Sequence, residues 1–78
     1  MNLWLLRPKN PDAGIWQDWD ISEGFIVRAE DKASARRLAS EEAGGEGADV
    51  WLNDSVTRCL HLTDAGPAGV LMCDFHAG

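Results

Sequence analysis

No apolar run in this chain approaches the roughly 20 residues that cross a bilayer. The opening Met1-Asn2-Leu3-Trp4-Leu5-Leu6 is stopped by Arg7-Pro8-Lys9 before it reaches the length of a secretory core segment. These absences point to a cytoplasmic protein without a membrane partner. Cysteine is sparse: Cys59 and Cys73 are too few for a disulfide scaffold, and a reducing compartment holds them as thiols. Positive charge is scarce too. Seven Lys and Arg against thirteen Asp and Glu give a net charge of −6, which repels nucleic acid at long range and attracts basic surfaces. Direct nucleic-acid binding is therefore disfavoured as the main activity.

The chain also lacks the parts of a catalyst. No Gly-rich phosphate loop is present, neither Cys lies in a nucleophile motif, and His61 and His76 come late, with no third group to orient them as bases. A domain of 78 residues offers little room for a ligand pocket of the usual size. The expectation is a protein that is not an enzyme, carries no cofactor and acts by binding another macromolecule.

What is present suffices to fold. Apolar residues make up 45% of the chain and include four Trp and two Phe, enough to collapse one domain over residues 1–78. A domain this short buries only about 60% of the surface of its unfolded chain, so its core is modest.

Asn2 to Arg7 reads as a strand closed by Pro8, with its register undecided. From Lys9 to Glu23 the Pro, Asp, Gly and Asn content marks an ordered loop, in which Trp16 and Trp19 are embedded. Gly24 to Ala29 reads as a second strand that places Phe25, Val27 and Ala29 on one face. Asp31 then caps a helix carrying Ala33, Ala35, Leu38, Ala39 and Ala43, which Gly44-Gly45 ends. Its Ala-rich side suits close packing on a sheet, with Lys32, Arg36, Glu41 and Arg37 in solvent. Ala48 to Asn53 reads as a turn or a short strand. Val56–Leu62 and Val70–Phe75 form a hairpin around Gly66 that sets Cys59 opposite Cys73. The order β-β-α-β-β predicts an α+β domain: a small antiparallel sheet of about four strands with one helix packed on one face. Pro8, Arg7 and Asp74 blunt the sheet edges, which favours a monomer.

Three groups of residues bear on function. Cys59, His61, Cys73 and His76 form a C-x-H and C-x-x-H set with the donors of a tetrahedral zinc site. Against zinc, this spacing sends His76 to the face opposite Cys73 unless the strand has ended, structural zinc sites usually use turns such as C-x-x-C, and the favoured reading is two small buried thiols beside partly exposed imidazoles; no metal site is assigned. The segment Ile15-Trp16-Gln17-Asp18-Trp19-Asp20-Ile21 is the most unusual. Either its tryptophans fold back as lids on a small core, or one stays exposed beside Asp18 and Asp20 as an aromatic anchor for a basic groove that ordinarily holds nucleic acid. Lys32, Arg36 and Arg37 are either a solvated helix face or a contact for an acidic partner or phosphate backbone. The candidate partner-binding residues are thus Trp16, Asp18, Trp19, Asp20, Arg36 and Arg37.

Gly24-Phe25-Ile26-Val27-Arg28-Ala29-Glu30-Asp31 followed by Ala35-Arg36-Arg37-Leu38-Ala39, with Trp51 and Cys59 downstream, resembles small accessory proteins of phages and prophages. The order of elements is similar to that of type I anti-CRISPR proteins, which are compact, often acidic and non-enzymatic. That resemblance implies a phage-encoded inhibitor in the bacterial cytoplasm, docking on a DNA-contacting surface of a Cascade subunit and blocking target recognition. The alternative is a phage interaction domain unrelated to immunity, or less favoured, a small zinc-stabilised module.

Overall fold

Alternation along the first strand settles the register that its sequence leaves open. In β1 (Asn2–Pro8), Trp4, Leu6 and Pro8 are buried on one face, while Leu3, Leu5 and Arg7 point to the other. The computed structural model describes residues 1–70. Within them, β2 (Phe25–Ala29) and β3 (Thr57–Leu62) each pair antiparallel with β1, giving a three-stranded sheet of order β2-β1-β3.

Because both outer strands oppose β1, they run parallel to each other and need a crossover to connect them. That crossover consists of α1 (Lys32–Glu41) and α2 (Asp49–Leu52). The protein is therefore α+β, with an antiparallel sheet and one helix of substantial length, as expected. The first four long elements follow the expected order of strand, strand, helix, strand. The fourth strand, expected over Val70–Phe75, lies outside the described residues except for Val70, which is exposed and belongs to no strand. Cys73, His76 and the Cys59–Cys73 pairing lie outside them as well. No described helix is long and apolar enough to cross a membrane.

The cap expected at Asp31 forms: its carboxylate accepts from the Ser34 backbone N–H at 2.8 Å. Ala35 and Ala39 then lie fully buried against the sheet, where small side chains allow close approach. Val50-Trp51-Leu52 forms a single helical turn instead of the expected turn or strand. A helical turn swings Trp51 inward, where it is 0% exposed and lies edge-on to Trp16 at 5.3 Å and to Phe25 at 4.9 Å. Edge-to-face geometry adds to the area that these rings remove from water. Trp51, Leu6 and Thr57 are the largest fully buried side chains.

Candidate functional site

The connection between β1 and β2 divides into a half that folds inward and a half that faces out. In the first half, the Trp16 N–H donates to Ala13 O at 3.0 Å, the Gln17 N–H donates to Gly14 O at 3.1 Å, and Gln17 Nε2 donates to Pro11 O at 3.1 Å. These bonds close one 3-10 turn, Gly14–Trp16, and deliver Trp16 to the core, where it is 6% exposed. Trp16 is thus a structural lid and not a free contact residue. Its indole is needed against Trp51 in a core with few large side chains.

The second half is clamped to the turn after α1. Asp20 adopts a left-handed backbone, with φ of 59°, a conformation that costs most residues about 1–2 kcal/mol but that Asp tolerates. Its carbonyl accepts from the Gly45 N–H at 2.7 Å. The Glu46 carboxylate accepts from the Ser22 N–H at 2.9 Å and from the Gly44 N–H at 2.6 Å, tying both segments to one side chain. Gly44 is required at this crossing, because a Cβ there would lie 2.5 Å from Asp20 O.

Trp19 stands on the outside of this clamp and is 91% exposed. A shallow cleft of about 350 Å³ lies beside it, walled by Trp16, Trp19 and Ile21 and rimmed by Asp18, Asp20 and Glu23. The arrangement offers one large aromatic surface with carboxylates around it, held by backbone bonds before any partner arrives. Of the two outcomes open for the tryptophans, each ring takes one.

The helix cations separate in the same way. Arg37 is exposed. Arg36 is half-buried: its guanidinium donates to Trp51 O at 3.0 Å, to Thr57 Oγ1 at 2.9 Å and to Thr57 O at 2.9 Å. The expectation of a solvent-facing Arg36 is corrected accordingly. Helix periodicity places Arg36 correctly beside Ala35 but does not show that β3 and α2 present oxygens there. Thr57 was not singled out by sequence, yet it is 0% exposed, and its hydroxyl also donates to Val50 O at 2.7 Å. Its signal was its place two residues before Cys59, on the inward phase of an alternating strand.

Cys59 is buried, and burial raises its thiol pKa against the opposing pull of Arg36 and Lys32. His61 lies on the same strand face, with its ring 4.9 Å from Trp4. Among the described residues, no group of three His, Cys, Asp or Glu side chains is arranged to hold a metal. Between α1 and β3, beside Cys59, Lys9, Lys32, Arg36 and Arg58 line a second open cleft of about 340 Å³, with Asp54 as its one carboxylate.

Compared with family models, with curated proteins and with solved structures, the chain matches none.

Proposed function

We propose that this protein is a non-catalytic binding domain of the bacterial cytoplasm whose acidic tryptophan loop docks on a basic groove of another protein. The observation that supports this most is Trp19, 91% exposed on a loop clamped through Asp20, Gly44 and Glu46 and flanked by Asp18 and Asp20. A large exposed ring that is already held in place loses little freedom on binding, and its carboxylates select a positively charged surface.

The partner class comes from the resemblance to type I anti-CRISPR proteins. The groove is then a DNA-contacting surface of a Cascade subunit, which the inhibitor occupies as a monomer in place of target DNA. A net charge of −6 suits competition with a polyanion for one site.

The test is a mobility shift of target DNA by purified type I Cascade complexes of several subtypes, with and without molar excess of this protein. Loss of the shifted band for one subtype supports the reading and identifies the target. Normal binding by every subtype overturns the Cascade assignment and leaves a phage interaction domain whose partner is to be sought by pull-down.

A further inference from the structure

The sheet has a second face, opposite α1, and its composition is unlike that of the rest of the molecule. Register places Leu5 between Ile26 and Leu60, and Leu3 between Arg28 and Leu62. Ile26 is 61% exposed and Leu60 46%, so these cross-strand neighbours form a contiguous apolar surface open to water. Arginines bound it at both ends: Arg7 lies directly opposite Arg58 at one end, and Arg28 lies beside Leu3 at the other. Glu23 shares a small cleft with Arg7 on the loop side. None of the strand positions on this face is acidic, although the chain carries thirteen carboxylate side chains. The basic cleft holding Lys9, Lys32 and Arg36 also reaches Arg58 and Leu60, extending the positive field around that edge.

We propose that this open face is a second docking surface, distinct from the tryptophan loop, and that its occupant is an acidic amphipathic helix of a partner protein. Charge complementarity selects that occupant. A second copy of the chain, stacked face to face, brings arginines against arginines with no strand carboxylate between them. A single-stranded nucleic acid needs aromatic platforms, and no strand position on this face is aromatic. An acidic helix instead meets an apolar centre with guanidinium groups at both ends, where Arg can grip a carboxylate with two parallel hydrogen bonds.

The spacing sets the ligand pattern. Leu3 and Arg7 are four positions apart on β1, which spans about 13 Å along a strand. The same distance is about nine residues of α-helix. The fitting segment has apolar residues at i, i+3, i+4 and i+7 between carboxylates roughly nine positions apart.

The test uses the full-length protein and a synthetic helical peptide of that pattern, with Glu at both flanking positions, beside a twin with Lys there. Binding is followed by titration calorimetry and by shifts of backbone amide resonances. Expected are binding of the Glu peptide at least about tenfold tighter than of the Lys twin, shifts centred on Leu3, Leu5, Ile26 and Leu60, and reversal of the preference in Arg28→Glu with Arg58→Glu. The Asp18→Lys variant, altered in the tryptophan loop, is expected to bind the peptide unchanged, so failure here and failure of the Cascade assay are separable. Equal affinity for both peptides, shifts centred elsewhere, or no binding overturns the proposal. So does sedimentation showing a dimer that Leu60→Glu dissolves, or adsorption to phosphatidylglycerol vesicles that Leu60→Glu abolishes.

Discussion

Arg36 holds Thr57 by both its hydroxyl and its carbonyl oxygen, each at 2.9 Å, and so stitches the crossover helix to the start of β3. The third bond, to Trp51 O, brings α2 into the same junction. Truncation in Arg36→Ala leaves two carbonyl oxygens without this donor and is expected to destabilise the fold by about 2–3 kcal/mol, read as a lower urea midpoint at unchanged slope. Arg36→Lys is expected to recover only part of that loss, because an ammonium lacks the planar fork. Arg37→Glu, on the exposed side, is expected to stay within about 0.5 kcal/mol of the parent.

The two loop tryptophans are expected to separate stability from binding. Trp16→Ala empties a site between α2 and the sheet and should cost about 3–5 kcal/mol in denaturant unfolding. Trp19→Ala should leave the unfolding midpoint in place and weaken association with the partner by about 2 kcal/mol or more. A Trp19→Ala protein that inhibits as well as the parent in the mobility shift would remove the loop from the interface.

Charge reversal in the loop has to respect its backbone. Asp18→Lys is expected to be neutral for stability, whereas Asp20→Lys puts an unbranched cation at a φ of 59° and should lose about 1 kcal/mol. Asp20→Asn removes the charge while keeping a residue that accepts the left-handed region, so Asp18→Lys with Asp20→Asn is the cleaner binding test. Loss of competition by this double variant, with its Tm unchanged, is the expected outcome.

Gly44→Ala places a methyl group 2.5 Å from Asp20 O and is expected to break the clamp. The expected sign is a lower Tm together with changed fluorescence of Trp19, obtained by difference from Trp19→Phe, which keeps Trp4, Trp16 and Trp51. A clamp that survives Gly44→Ala would show that the Glu46 carboxylate alone suffices to hold the loop.

The helix cap has a pH signature. Hydrogen bonds from the Ser34 backbone N–H and then its hydroxyl lower the pKa of Asp31 against the opposing effect of desolvation, with a lesser lowering from the positive charge of Arg37. A carboxylate whose folded pKa is depressed adds stability above its ordinary pKa of 3.8 and loses it as pH falls through the lower folded value. Melting of Asp31→Asn between about pH 5 and about pH 2 should therefore be flatter than that of the parent across the acid limb. Its melting at neutral pH should change little, since Asn also caps.

Much of this was legible in the sequence where a local rule decides the structure. The Asp31 cap, the Ala35 and Ala39 contact and the shared face of Phe25, Val27 and Ala29 all follow from propensity and periodicity, whereas the helix stops at Glu41, with Glu42 as its cap, short of the expected Ala43 and Gly44-Gly45. The register of β1 was not legible, because Leu3-Trp4-Leu5-Leu6 is apolar in both phases, and only partners on two sides choose between them. The role of Arg36 escaped for a related reason: its acceptors on Trp51 and Thr57 are brought there by the crossover. Of the candidate site, Trp19 with Asp18 and Asp20 was recognisable by its composition. Which of the two tryptophans would turn inward depended on the short turn at Gly14–Trp16.

The position of β1 has a consequence for how the molecule comes into being. Of the described strands, the middle one leaves the ribosome before its neighbours, and Leu62, the β3 partner of Leu3, is nearly the whole described chain away. Among the described strands no tight hairpin joins neighbours: β2 pairs with β1 only across the tryptophan loop, and β3 only after both helices have been laid down. Long-range closure of this kind slows folding relative to helical domains of the same size. Until β3 is made, the nascent chain carries Leu5 and Leu6 with one flank unpaired, so folding on the ribosome is expected to finish in a single late step and not strand by strand.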